Sequence, residues 1–424
     1  MYKMKTKKNV SVKQIYIWNI LGSIANALTS MILLMLVTRT SDSLHADMFS
    51  IGFALAQQFV TIGIFQVRNY QATDVQEKFR FRDYFFFRVL TCCVMMAVSF
   101  GYIVLKGYSQ EKGIIVFLLC LSKVVEALSD VYQGFFQQKE RLDLAGKTLV
   151  LRSCVNCTVF GFTLFIWKDM MLSVICMLVS SFLCFWFYER SRYRKFPKII
   201  QDSYSVREFL RKSKEIFLQC FPLFINGFLI MSIYNAPKNA IDSLCGQESQ
   251  LSGMQTDYNI LFMPASVINL FLIFLRPYMT HMAYAWTSGQ KSRFRKLILQ
   301  MTLGISIFSL FTIIGAWILG IPILELVYGK NLSMYRRELL VLILGGMFSS
   351  LATVFDNIIT VIRYQHFLVI SYIISWATAL IISGPMVERL QITGAALVFL
   401  LTMVILAGVN VGILFIGLIR KKRN

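Results

Sequence analysis

Leu121 to Tyr132 reads LSKVVEALSDVY and lies inside an otherwise apolar segment that runs from Gly113 to Gln137. Lys123, Glu126 and Asp130 stand at i, i+3 and i+7, so on a helix all three share one face. The segment has the roughly 20 residues that a helix needs to cross a bilayer. Each charge at that depth costs roughly 2.5–3.5 kcal/mol on insertion scales. The charged face must therefore look into protein or a wet cavity. Two readings stand side by side. In one, a Lys123–Glu126 pair and an Asp130 bonded to a neighbouring helix hold a bundle together. In the other, the trio lines a substrate or ion pathway.

The rest of the chain has the same character. Of 424 residues, 56% are hydrophobic and the mean hydropathy is +0.62, so repeated apolar runs make this an all-α polytopic membrane protein. Twelve spans are expected: 14–37, 46–68, 84–105, 113–137, 146–167, 170–188, 216–235, 258–279, 297–319, 338–362, 366–386 and 392–419. With both termini inside, inner segments, among them 68–88 with Arg88 counted at its edge, carry 31 of the 43 Lys and Arg and outer segments carry 9. That bias puts both ends in the cytoplasm, and it accounts for the net charge of +21 without nucleic acid. The opening MYKMKTKKNVSVK runs into a full span with no small-residue cleavage site, and so reads as a retained first helix. Nine cysteines are scattered, with Cys154 and Cys157 inside an apolar span, which gives no disulfide framework and no metal-binding set. The basic segment ERSRYRKFPKIIQDSYSVREFLRKSKE divides the chain. The expected organisation is a six-helix lobe at 1–188, a cytoplasmic linker at 189–215 lying on anionic lipid, and a six-helix lobe at 216–424. Within the linker, VREFLRKS is suited to a short surface helix, and 236–257 reads as the longest polar outer segment.

Polar residues repeat between the halves. Span 1 carries Asn19, Ser23, Asn26 and Ser30 along one stripe, span 2 carries Gln57, Gln58, Thr61 and Gln66, and span 4 carries the charged trio. Span 7 carries Gln219 and Asn226, span 8 Asn269 and Arg276, and span 10 Ser349, Thr353, Asp356 and Thr360. Spans 3, 6 and 9 are mostly apolar. The polar spans thus hold matching positions in each half, as in transporters built from two repeats around a shared polar space. Interhelical glue is the other use of such stripes.

By depth, Asp130 lies about eight residues and Arg152 about six from the inner ends of antiparallel spans, so a salt bridge between them is expected. Snorkelling of Arg152 to the inner surface is the competing reading. Lys123 is too deep to snorkel and is the leading contact for an anionic ligand, with Glu126 screening it when empty. Arg68 and Arg276, at inner span ends, would form a cationic mouth. Asn19, Asn26, Gln57, Asn226 and Asn269 would bond sugar hydroxyls. Glu126, Asp130 and Asp356 are the candidates for ion coupling or counter-charge. The chain carries no Walker A, GxSxG or HExxH pattern and no large outer loop, so neither an enzyme nor a bound cofactor is expected.

Several stretches resemble one family. NILGSIANALTSMILLMLVTRT, FALAQQFVTIGIFQVRNYQATD with DYFFFR, and SKVVEALSDVYQGFFQQKERLDLAGKTLVLR look like the first half of bacterial polysaccharide-repeat-unit (Wzx-type) flippases. YNAPKNAIDSL, PASVINL, RPYMTHMAYAW and LELVYGKNLSMYRRELLVLILGG fit the second half. These flippases belong to the multidrug, oligosaccharidyl-lipid and polysaccharide exporter superfamily. The resemblance implies a two-lobed, V-shaped, MATE-like carrier of the bacterial cytoplasmic membrane. It implies alternating access that moves undecaprenyl-diphosphate-linked oligosaccharide outward for capsule, O-antigen or exopolysaccharide synthesis. It also implies membrane lipids, polymerase and chain-length proteins as partners. Lys123, Arg152, Arg68 and Arg276 are the matching cavity cations. A multidrug or cation antiporter of the same superfamily, and a membrane polysaccharide polymerase, are the alternatives.

Overall fold

A chain with this many apolar runs must satisfy its backbone within each segment, and helices do so in lipid without a partner strand. The computed structural model describes residues 11–74, 77–196, 205–246 and 251–423, and side chains within these ranges except at 12, 206, 269, 270, 273–277, 280 and 420–423. The described residues are helical apart from turns and short connections. In order the helices are α1 (Val12–Thr40), α2 (Ser43–Ile64), α3 (Val67–Thr73), α4 (Phe81–Leu105), α5 (Gln110–Gln138), α6 (Leu142–Trp167) and α7 (Met170–Cys184). A π-helical turn, Phe185–Glu189, leads into α8 (Arg190–Tyr193). Then come α9 (Val206–Cys245), α10 (Met254–Thr287), α11 (Lys291–Gly315), a second π turn (Ala316–Gly320), α12 (Ile321–Tyr328), α13 (Arg336–Val361) and α14 (Leu368–Arg423). Gln391, at φ 50, breaks α14 into two, so each of the twelve expected spans falls on its own helical segment.

Three boundaries differ from the sequence reading. The second span stops at Ile64, because Phe65 (φ 44) and Gln66 (φ 54) turn left-handed before α3 starts. Two such residues cost about 1–3 kcal/mol each. The Phe65 ring offsets part of that by stacking on Phe224 at 4.3 Å and Phe217 at 5.2 Å, with Phe87 edge-on at 5.6 Å. The expected outer segment from 236 is helical as far as Cys245, which places Lys238 inside α9. VREFLRKS is not a separate surface helix but the first turns of α9, where Lys212 reaches the buried Asp83 at 3.1 Å.

The chain divides into two compact units. One comprises Met1–Leu36 and Phe59–Phe224, and the other Val37–Gln58 and Ile225–Asn424. Residues 37–58 join the second unit through two helix-end contacts. The Asp47 carboxylate accepts from the backbone N–H of Gly253 (2.6 Å) and Thr256 (2.8 Å) and from the Thr256 hydroxyl (2.6 Å), capping α10. Arg39 donates to the Leu326 and Val327 carbonyls in the last turn of α12. An acid at a helix start and a base at a helix end are the favourable choices for the two ends of the dipole.

In the first unit, α1 and α6 approach at Gly22 and Gly146. A Cβ built on Gly146 would fall 2.1 Å from the Trp18 carbonyl oxygen, so only glycine fits. Gly146→Leu is expected to lower the thermal midpoint of the detergent-solubilised protein, in line with the roughly 1–3 kcal/mol of overpacking a core. Gly304→Leu, at a site with open space around it, should leave the midpoint in place.

Candidate functional site

The charged face of α5 is where the first unit gathers its ionised groups. Lys123 bonds Glu126 at 2.7 Å one turn away, as the spacing suggests. Both Lys123 and Arg152 are buried. Asp130 does not pair with Arg152. Its two oxygens take Arg88 of α4 at 2.9 Å and Arg68 of α3 at 3.4 Å. The reason is Arg88, which is 0% exposed and needs a counter-charge more than Arg152 does. The positive-inside count had assigned Arg88 to an inner loop, yet it lies seven residues inside α4.

Further hydrogen bonds fix this group. Arg88 and Thr91 both donate to the Gly63 carbonyl at 2.7 Å. Arg68 donates to Gln133 at 2.9 Å and Gln137 at 3.2 Å. Gln133 donates to the Ser129 hydroxyl at 2.9 Å, and Ser129 donates to Glu189 in the π turn. Arg152 sits in the field of Glu126 and Glu189 but makes no ion pair among the described residues, and its Nη1 is buried without a partner. Four cations (Arg68, Arg88, Lys123, Arg152) thus face three carboxylates (Glu126, Asp130, Glu189). Glu189 came from the edge of the basic linker in the sequence reading, and span 6 was read as apolar. Its only local signal was an acid following four aromatics, FWFYE.

The second unit holds a different set. The Asp356 carboxylate on α13 accepts from the Tyr372 hydroxyl and from Asn410 at 2.6 Å, both on α14. No Lys or Arg among the described residues pairs with it. Gln58 donates to Ser232 at 3.0 Å, while Asn235 donates to the Ala54 carbonyl at 3.0 Å. Lys238 lies against Phe262 with Nζ 4.5 Å from the ring centre, and no carboxylate pairs with it among the described residues. Phe262 in turn packs edge-on against Phe399 at 4.9 Å and Tyr234 at 6.1 Å.

The expected ligand contacts are dispersed. Asn26 and Gln57 are exposed, and Asn19 is half-buried with its carbonyl taking the Ser23 hydroxyl. Asn226 has a buried Oδ1 without a partner. The side chains of Asn269 and Arg276 lie outside the described residues. The structure therefore joins Lys123, Glu126 and Arg152 in one neighbourhood and Arg68 with Asp130 in another, while Asp356 stands in the other unit.

Solved structures with the same arrangement of helices include several MATE transporters. An inward-facing multidrug resistance MATE family transporter of the MOP superfamily superposes with a TM-score of 0.62, covering 98% of this chain and 96% of its own. The chain has the MATE transporter fold. A mutant of the Vibrio cholerae MATE transporter VcmN gives 0.61 over 96% of both chains, and the eukaryotic MATE transporter AtDTX14 gives 0.58 over 95% of both. Sequence identities to the three are 11%, 11% and 14%, so the likeness is one of fold. No family profile and no curated relative matches the sequence.

The Asp130 bridge makes a quantitative prediction for this MATE fold. Asp130→Asn leaves Arg88 buried without a counter-charge, which costs about 3–5 kcal/mol. A large fall in thermal midpoint is expected. Combining it with Arg88→Met should recover much of the loss, and a double variant no more stable than the single one would contradict the pairing.

Proposed function

We propose that the chain is a transporter that carries an anionic, lipid-anchored substrate across the cytoplasmic membrane by alternating access. The substrate class is an undecaprenyl-diphosphate-linked oligosaccharide repeat unit destined for surface polysaccharide. The observation that carries this reading is Lys238. It is a cation two turns from the end of a membrane helix, and among the described residues no carboxylate pairs with it. Its ammonium lies level with Phe262, two turns into α10, instead of reaching along the helix to the outer end. A desolvated cation over an aromatic face gains about 2 kcal/mol, less than a charge-assisted bond to phosphate in the same low-dielectric setting would supply.

The polar side chains support the same class. Asn226 offers an unused buried oxygen, and Asn26 and Gln57 present exposed amides of the type that bond sugar hydroxyls. The prenyl tail would stay in lipid. The 31 to 9 distribution of Lys and Arg supports an orientation with both termini in the cytoplasm. Polymerase and chain-length proteins are the partners that would receive the product.

A second reading is a multidrug antiporter, and the similar solved structures favour it, since one of them is a multidrug resistance transporter. Asp356 is the residue that speaks for it: a buried carboxylate held by a hydroxyl and an amide, without a paired cation, is suited to a proton, a metal cation or an organic cation.

One experiment separates the two. In cells lacking the chain, the proposal expects lipid-linked oligosaccharide to accumulate on the inner leaflet. The wild-type chain and Lys238→Arg should restore outward delivery. Lys238→Ala, losing a charged bond of roughly 1.5–3 kcal/mol, should need about tenfold more substrate or more. Normal outward delivery without the chain, together with organic-cation efflux that Asp356→Asn abolishes, would replace the proposal with the antiporter reading.

A further inference from the structure

Among the described residues of the first unit, Glu189 and Arg152 form an acid–base neighbourhood that stays open. Around them every ion pair is closed: Lys123 with Glu126, and Asp130 with both Arg88 and Arg68. Glu189 is 0% exposed. Its Oε1 accepts from Ser129, while Oε2 is buried with no partner. Arg152, 6% exposed, carries the complementary orphan in Nη1. The two groups feel each other, yet no nitrogen–oxygen pair comes within ion-pairing distance.

The backbone at Glu189 is unusual too. Phe185–Glu189 is a π-helical turn inside a membrane span, and such turns insert a residue and concentrate at functional sites. Phe185 and Glu189 are buried, whereas Trp186 and Phe187 between them are exposed. The following Arg190 turns the other way and stacks on Trp186 at 3.9 Å. The turn therefore delivers a carboxyl inward while its neighbouring base is taken out of reach.

We propose that Glu189 is a proton-binding site, with the proton carried on Oε2 and in competition with Arg152. An ionised carboxylate with a bare oxygen away from water is costly, and either a proton or the guanidinium removes that cost. Asp130 of α5 faces Glu189 with like charge and Arg152 of α6 with opposite charge, Ser129 donates to Oε1, and Tyr132 of α5, Cys184 of α7 and Tyr188 of the same turn complete the titratable surroundings. With the proton on, Glu189 is neutral and Arg152 keeps only Glu126 as an acidic neighbour, free to meet an anion. With the proton off, Arg152 closes onto Glu189. The link to an anion rests on the transport reading, but the proton site itself does not.

The test needs no substrate. Infrared difference spectra of the purified full chain in lipid nanodiscs, taken between acidic and alkaline buffer, should show a buried carboxylic acid band that disappears as pH rises. Glu189→Gln should lose that band and Glu126→Gln should keep it. The same difference spectrum in wild type and Glu189→Gln would overturn the proposal. Should Glu189→Gln not fold, Ser129→Ala serves instead. Loss of its bond must shift the band, and an unshifted band would also overturn the assignment. Normal oligosaccharide delivery alongside a missing band would sink this inference while leaving the transport reading intact.

Discussion

Asp130 holding Arg88 and Arg68 is the contact on which the first unit depends. Arg88 is fully enclosed, and an enclosed guanidinium without an anion would not be tolerated in the membrane interior. Meeting that demand brings three elements to one carboxylate. α4 supplies Arg88, α5 supplies Asp130, and the left-handed turn at Phe65–Gln66 sets α3 so that Arg68 arrives from the other side. The Gly63 carbonyl, accepting from Arg88 and Thr91, ties the end of α2 into the same group. A strained turn, a buried base and a charged helix face are thus parts of one solution.

The second unit solves its polar problems differently. There helix ends are neutralised by side chains from residues 37–58, with Asp47 at the start of α10 and Arg39 at the end of α12. Its interior carries fewer charges, and two of them, Asp356 and Lys238, are satisfied by neutral groups: a hydroxyl and an amide for the acid, an aromatic face for the base. In the first unit Arg88 and Asp130 compensate charge with charge, whereas in the second Lys238 and Asp356 stand among neutral partners. Poised charges are the ones a ligand can gain energy from, since they need not first be separated from a partner.

Much of this was legible before any coordinates. Hydropathy and the length rule located twelve segments, each of which falls on its own helical segment, because lipid imposes a simple requirement on each segment by itself. The Lys123–Glu126 pair was legible because i, i+3 spacing on one helix determines it. What escaped the sequence depends on relations between helices. The partner of Asp130 was read as Arg152 from depth alone, while Arg88 was counted among loop charges because it sits near a span end. Glu189 and Lys238 were hidden for the same reason: a hydropathy window cannot tell a charge just outside a span from one just inside when the helix runs on past the apolar stretch. The π turn at Phe185–Glu189 and the break at Phe65–Gln66 have no sequence signal at all in glycine or proline.

On the proposed reading, the unpaired Lys238, not the unpaired Asp356, defines what the protein carries. Binding of a polyprenyl-diphosphate-linked sugar and of a lipophilic organic cation to the purified chain in nanodiscs measures this directly. Saturable binding of the diphosphate lipid is expected, weakened in Lys238→Ala and indifferent to Asp356→Asn. Saturable binding of the organic cation alone, lost in Asp356→Asn and untouched by Lys238→Ala, would contradict it.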